Sequence, residues 1–364
     1  MYKCILFFFC CLCSCDAGAQ FVIQGRIVDD STGLPVPNSS IYLNRTTFQT
    51  RSNVRGEFKL EVAGVNSGEL IVCAAGYECF AYNPGFSGAG NKFFTFKLIK
   101  KELKKESITF PDIFKKAALH NLMESLLGIT AEAAACTIEN LESVYFVKGK
   151  SENITYAFAD TPLIITNKLL GYEIVYDLIE FGDDNFQENY FTAYYWYRDI
   201  GNKRQFIKQR QRNYFGSTQH FFHSLIERNL YGQGFSIFRM KQAADTSNLP
   251  PYTDYTQVNP NSFEAITPVV FLFIDSISNE YYLKFSREII VQYDKTPHTV
   301  DYLSDQGFVT GLSKKGFTAS IRLLAGTVGI DSKGIIAEPL NVNYGGFWIY
   351  EKLANQLPLN YQPE

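Results

Sequence analysis

Four histidines are all that this chain of 364 residues carries, and the shortage excludes most metallohydrolase patterns. None of His120, His220, His223 or His298 is followed three residues later by Glu; His298 has Asp301, and His120 has Glu124 one place too far. A zinc carboxypeptidase needs that His-Glu pair plus a distant His. The HExxH helix, the Gly-x-Ser-x-Gly elbow, the phosphate-cradling P-loop and the GxGxxG dinucleotide turn are absent as well. A nucleophile assembled from distant residues is left open. An excess of one charge is also lacking. A formal net charge of −3 offers phosphate no chain-wide attraction, so nucleic acid is not an expected partner. The apolar run from Ile5 to Leu12 falls far short of the about 20 residues that cross a bilayer.

That short run has another reading. Lys3 precedes it, and Ala17, Gly18 and Ala19 follow it just before Gln20. A basic start, an apolar stretch and small residues at the cleavage point make residues 1–19 a secretory signal peptide, with export to the periplasm or outer membrane. Leu12-Cys13-Ser14-Cys15 also resembles a bacterial lipobox, with Cys15 as the acylated residue. Five residues would then tether the first strand, a reach of about 18 Å. Simple cleavage before Gln20 is the preferred expectation. Five of the 8 cysteines lie in this leader, leaving Cys73, Cys79 and Cys136. Three thiols cannot close a disulfide framework. Cys73 and Cys79 flank a turn and can pair in an oxidising compartment, but small buried thiols are the plainer reading.

What is abundant is aromatic and apolar. The chain has 31 Phe and 23 Tyr and is 46% hydrophobic, enough for about two domains with a preference for strands. Residues 21–98 read as short strands divided by turns: Ile23, Gly25 and Ile27 alternate with Gln24 and Arg26, and residues 29–37 interrupt pairing with acids, Gly33, Pro35 and Pro37. No helical stretch intervenes, so an antiparallel sandwich is expected. Within it stand Gln24-Gly25-Arg26-Ile27-Val28-Asp29, Thr32-Gly33-Leu34-Pro35-Val36-Pro37, Asn53-Val54-Arg55-Gly56-Glu57-Phe58 and Gly76-Tyr77-Glu78. Together they resemble the carboxypeptidase regulatory-like domain, a prealbumin-type β-sandwich. In carboxypeptidases that module accompanies the hydrolase and is not itself catalytic. Fold resemblance says little about activity.

The mixed-charge run over residues 100–106 marks a linker, placed at 100–110 between a sandwich at 20–99 and an α+β domain rich in antiparallel strands at 111–364. A helix is expected over residues 111–127. Leu127-Gly128-Ile129-Thr130, Pro162-Leu163-Ile164-Ile165-Thr166-Asn167, Arg212-Asn213-Tyr214-Phe215-Gly216-Ser217 and Gly346-Phe347-Trp348 then resemble Gram-negative envelope proteins containing a carboxypeptidase-like regulatory domain, whose second domain has no assigned chemistry. In that resemblance the place of His223 is usually basic and that of Ile349 aromatic, which weakens His223 as a shared ligand.

Candidate residues follow from spacing. Residues 172–181 suit a central strand, with Glu173 and Asp177 read as exposed acids sharing a face. Two helices meet at Gly216-Ser217. On the first, Arg204, Lys208 and Arg212 form a solvated stripe, while Arg210 falls in the apolar arc and must find a carboxylate or carbonyls. Ser217 is placed to cap the second, which Gly232 or Gly234 can end. His220, His223 and Glu227 fall within a narrow angle that permits a metal, although surface positions are the plainer reading. Strands are expected over residues 269–274, 281–285, 288–293 and 320–325. A closing helix over 347–355 buries Trp348, Ile349 and Leu353. Tyr194, Tyr195, Trp196 and Tyr197 can stack on sugars or pack a sheet. The expected function is non-enzymatic binding or assembly in the envelope, with a protein or glycan partner and no cofactor. A glycan-binding protein is the first alternative, and a hydrolase using His220, Glu227 or Ser217 the second.

Overall fold

The computed structural model describes residues 20–65, 67–84, 92–101, 112–148, 154–183, 189–241, 263–275, 280–295 and 317–364. The expected leader with Cys15 and most of the expected linker lie outside the described residues. The fold is multidomain and β-rich, with several antiparallel sheets.

Strand β1 (Gln20–Asp29) buries Ile23 and Ile27 on one face and stops where its last side chain gathers donors. Asp29 Oδ1 accepts from the backbone N–H and hydroxyl of both Ser31 and Thr32, and Oδ2 accepts from the Tyr77 hydroxyl at 2.9 Å. These bonds, the Ser31 hydroxyl foremost, hold the carboxyl far below the usual carboxylate range. The strands β2 (Ser40–Leu43), β3 (Gln49–Arg51), β4 (Glu57–Ala63), β5 (Leu70–Cys73), β6 (Phe80–Tyr82) and β7 (Lys92–Leu98) complete two sheets, ordered β4-β1-β7 and β3-β2-β5-β6. Ile41, Leu43, Leu60, Val62, Leu70 and Val72 fill the space between them. One pairing departs from an all-antiparallel sandwich: β7 runs parallel to β1. Alternation shows which face is buried but not direction, and the chain returns from the other sheet before reaching the β1 edge. Gly25 is obligatory at this contact, because a Cβ there would lie 2.2 Å from the Phe94 carbonyl oxygen.

Helix α1 (Asp112–Leu127) buries Leu122 and Leu126, and the single turn α2 (Ala131–Ala134) is capped by the Thr130 hydroxyl. They meet a sheet of β8 (Cys136–Ile138), β9 (Val144–Lys148), β10 (Thr155–Ala159), β11 (Leu163–Asn167), β12 (Tyr172–Asp183) and β13 (Asn189–Asp199). Long β12 is central: β11 and then β10 share one edge, and β13 runs along the other. Helix α3 (Arg204–Tyr214) buries Phe206, Arg210 and Tyr214. Helix α4 (Thr218–Ile226) begins at Ser217, whose Oγ accepts from the His220 N–H. It ends at Ile226, earlier than Gly232, because Arg228 turns left-handed at φ 56°. Gly234, at φ 95°, instead closes the short α5 (Leu230–Gln233).

The rest of the chain builds a sheet ordered β15-β14-β18-β19-β21, from β14 (Phe235–Met240), β15 (Phe263–Ala265), β18 (Ile289–Tyr293), β19 (Phe317–Leu323) and β21 (Val342–Gly346). A smaller sheet joins β16 (Leu272–Ile274), β17 (Tyr281–Leu283) and β20 (Val328–Ile330). The expected closing helix is two short 3₁₀ turns, Phe347–Tyr350 and Leu353–Asn355, separated by extended Lys352. Point anchors set that path: the Trp348 indole donates to Gly216 O at 2.9 Å, and Asn167 donates to Ala354 O at 2.9 Å.

Arg210 shows how the sheet and α3 are bolted together. It is 5% exposed, grips both Asp199 oxygens at 2.9 Å, donates to Leu170 O and Gly171 O, and lies over the Tyr172 ring. Arg210→Met removes the guanidinium, leaving Asp199 with only the Gly201 N–H, Gly171 O with only the Ile200 N–H, and Leu170 O without its Arg210 donor. Urea unfolding should show a loss of about 3 kcal/mol or more.

Candidate functional site

The histidine constellation does not converge on a common point. His220 is 3% exposed, not at the surface. Its Nδ1 accepts from Gly216 N at 3.0 Å, its Nε2 meets Gln233 Oε1 at 3.3 Å, and Phe215, Phe235 and Tyr293 surround the ring. Burial lowers its pKa to about 4. His223 lies elsewhere, with Nδ1 2.8 Å from the Tyr214 hydroxyl and Nε2 3.3 Å from Glu227. Both nitrogens of each ring are engaged, so the trio has no shared vacancy for a metal. Ser217 Oγ is committed to its cap and Trp348 to Gly216 O.

Two other expectations change, those for Asp177 and for the cysteine pair, while of the two readings of the aromatic run the packing one holds for Trp196. Glu173 pairs with Arg198 at 2.8 Å, but Asp177 is no exposed acid: the Tyr42 hydroxyl of the sandwich donates to its Oδ2 at 2.6 Å. Trp196, 3% exposed, is packed with Tyr42, Ile71 and Cys73 and cannot present a face to a sugar. Cys73 and Cys79 are joined as a disulfide, not buried as separate thiols. The turn between them brings their Cα atoms to 4.4 Å, inside bonding range.

A concave site does form where β12 and β13 meet β21 and the closing turns. A cavity of about 400 Å³ is lined by Tyr176, Phe191, Tyr195, Asn343, Tyr344, Glu351, Lys352 and Gln356. Tyr176 and Tyr195 stack at 5.5 Å with an interplanar angle of 24°. The Tyr195 hydroxyl donates to Gln356 Oε1 at 2.8 Å, and Gln356 Nε2 donates to Glu351 O at 3.2 Å. A smaller cavity of about 130 Å³ shares Tyr344, Trp348, Glu351 and Gln356 and adds Arg45 from the sandwich. Arg45 lies beside Tyr195, Tyr197 and Tyr344, and Tyr195, by contact and hydrogen bond, raises its pKa further.

Glu351 stands between the two cavities. Its Oε2 accepts from the Thr218 N–H at 3.2 Å, at the first turn of α4. Thr218 favours the charged form, yet burial dominates and pushes the carboxyl up to about 8. At neutral pH the cleft therefore holds a carboxylic acid with a proton to donate. Burial also lowers the neighbouring Lys352. Sequence reasoning missed Glu351, Tyr176, Asn343 and Tyr344, since their spacing repeats no motif and only folding assembles them; the aromatic run at residues 194–197 was the one local sign.

No protein-family model and no curated protein matches the chain. Solved structures give partial likenesses. Catechol 1,2-dioxygenase from an Acinetobacter species is 13% identical over 27% of this chain and 59% of its own, with a TM-score of 0.20. A candidate membrane-associated protein of unknown function from Bacteroides fragilis is 16% identical over 44% of this chain and 65% of its own, with a TM-score of 0.19. A candidate carbohydrate-binding protein from Bacteroides uniformis is 10% identical over 85% of this chain and 98% of its own, with a TM-score of 0.19. The chain thus spans less than two thirds of the first two. Likenesses this low assign no function. Among the described residues, no helix is long and apolar enough to cross a membrane.

The two buried groups load stability with opposite signs. Glu351 sits near 4.5 when unfolded and about 8 when folded, so its contribution is complete below pH 4.5 and is lost as pH rises to 8. Urea midpoints of Glu351→Gln should lack that decline. His220 sits at about 4 folded against 6.5 unfolded, so the unfolded chain takes the proton first. Stability should fall as pH drops from 6.5 to 4, and His220→Asn should flatten that limb.

Proposed function

We propose that this chain is a non-enzymatic binding protein of the cell envelope, and that the cleft between β12–β13 and the closing turns takes a neutral saccharide. The leader-like residues 1–19 support export, and the turn motifs of residues 24–78 support a binding-type sandwich of the carboxypeptidase regulatory-like kind. One observation carries the ligand class: the half-buried aromatic side chains of Phe191, Tyr195 and Tyr344 line one cavity together with the amides of Asn343 and Gln356 and with Glu351, whose pKa burial raises. Rings of this kind cover the C–H faces of a sugar, and a few fixed polar groups read its hydroxyls. A volume near 400 Å³ suits a mono- or disaccharide.

The lining favours binding over turnover. Glycoside hydrolysis uses two carboxyl groups, and among the described residues lining this cavity Glu351 is the sole acid. Ser125, its one hydroxyl of nucleophile type, accepts from Asn189 and donates toward Asn121, neither of them a base.

A glycan array with the mature chain should give neutral oligosaccharide hits. Asn343→Ala, at an exposed position, should weaken them by about fivefold, one hydrogen bond's worth. Affinity should fall as Glu351 ionises above pH 8, and Glu351→Gln should hold it level. A flat array, or turnover of a bound sugar, would overturn the proposal.

A further inference from the structure

A second convergence of reactive groups lies away from the cleft. Cys73 ends β5, Cys79 precedes β6, and Asp177 reaches across from β12. One carboxylate oxygen and the two sulfurs all lie within 4.8 Å of one another. The Tyr42 hydroxyl donates to Asp177 Oδ2, and its oxygen is 3.9 Å from Cys73 Sγ. A disulfide needs no carboxyl beside it, and enclosing one is costly. The other groups facing Asp177 are Tyr194, its partner on β13, and the charge of exposed Lys101.

The two sulfurs differ in access. Cys73 is 7% exposed and packed in the cluster of Tyr42, Ile71 and Trp196, whereas Cys79 is half-buried at the rim. Exchange requires a thiolate to reach one sulfur while the other departs with the electron pair, and rates follow access and the proton balance of the buried thiol.

We propose that Cys73–Cys79 is an exchangeable, redox-active disulfide, in which Cys79 meets a small external thiol, Cys73 is the resolving sulfur, and Asp177 carries the Cys73 proton. In the reducing direction the external thiolate bonds to Cys79 Sγ. The Cys73–Cys79 bond breaks, and its electron pair leaves on Cys73, which takes the Asp177 proton. A second equivalent of thiol frees Cys79 and departs as the symmetrical disulfide, so two electrons pass in all. In the oxidising direction Asp177 carboxylate removes the Cys73 proton, Cys73 thiolate attacks Cys79, and the external thiolate leaves. Burial places Asp177 at about 6, above the ordinary carboxylate range and below that of a thiol, despite the Tyr42 donor and Lys101. The remaining cysteine among the described residues, Cys136, is inert by comparison, since burial pushes its thiol up to about 12.

Glutathione is the probe, used on the folded mature chain carrying Cys136→Ser: reduced glutathione attacks the Cys73–Cys79 disulfide, and oxidised glutathione is given to the single-cysteine variants, whose thiolate displaces one glutathione thiolate as the other is captured. Cys73→Ser should trap one glutathione on Cys79, located by peptide mapping. Cys79→Ser should react at Cys73 at least tenfold more slowly. Release of glutathione from the mixed disulfide at Cys79, with Cys73 intact, should level off above about pH 7. Asp177→Asn should slow that release at least tenfold at pH 7 and make it rise about tenfold per pH unit, as an unassisted thiol does. Near-UV circular dichroism checks that the variant is folded; if it is not, the wild-type profile decides. No adduct under native conditions, equal trapping at both sulfurs, or a wild-type rate still climbing tenfold per unit through pH 7–8 would overturn the proposal. So would an Asp177→Asn chain with the wild-type profile.

Discussion

The turn at residues 44–46 closes the free edge of β13, and the assembly depends on it. Arg45 N donates to Tyr195 O at 2.7 Å, and Tyr197 N donates to Thr46 O at 2.9 Å, so the sandwich lends a short pseudo-strand to the neighbouring sheet. Asn44 adds its side-chain oxygen to Tyr195 N at 3.1 Å. Arg45 adopts φ 64°, an uncommon conformation for a residue with a Cβ, and the bonds on both sides hold it there. An unpaired edge with this many aromatics would be an aggregation site. Each hydrogen bond is worth about 1 kcal/mol net; the larger part of the docking comes from burying Tyr42, Ile71 and Trp196 beside them.

The same turn then positions the C-terminal segment. Arg45 O accepts from Leu359 N at 2.8 Å, and Thr47 and Asn360 exchange side-chain and backbone bonds. Upstream, Trp348 is tied to Gly216 and Ala354 to Asn167. With both ends fixed, residues 348–356 cannot relax into a helix, and the chain between anchors carries Glu351 into the cleft. The ligand cavity is thus a by-product of closure, and a fault in the sandwich turn would reach the cleft through Leu359 and Tyr195.

Sequence and structure agree where the signal is local. A serine before a helical run caps by short-range chemistry, and an arginine inside an apolar arc must be answered wherever it is buried; Ser217 Oγ on the His220 N–H and Arg210 on Asp199 are local solutions to local problems. Alternation showed the buried face of β1 but not the parallel sense of β7, which depends on a crossover between sheets. The helical angle of His220 points to the surface, since it cannot reveal that α5 and β18 cover the ring. Alternation cannot reveal the surroundings of Asp177 for the same reason: its donor, Tyr42, is 135 positions away. The cleft is illegible because its lining residues come from α1, β12, β13, β21 and the two closing turns, and no one of them is unusual alone.

The acids show what folding adds to composition. Asp29 receives donors from Ser31, Thr32 and Tyr77 and stays charged well below the ordinary range. Asp199 faces Arg210 and is likewise lowered, the guanidinium outweighing the cost of burial. Asp177 has the Tyr42 hydroxyl and a distant ammonium, and its proton lingers to about pH 6. Glu351 has Thr218 alone, and it keeps its proton to about pH 8. A carboxyl's charge here follows the balance between the donors the fold supplies and the cost of its burial, since each bond to the anion offsets part of its desolvation. A fully satisfied acid has no capacity left for a ligand and serves only to hold the chain. An undersupplied one retains a proton that a sugar hydroxyl or a thiolate can use, and the two least satisfied of these four acids are the two that stand beside a cleft and a disulfide.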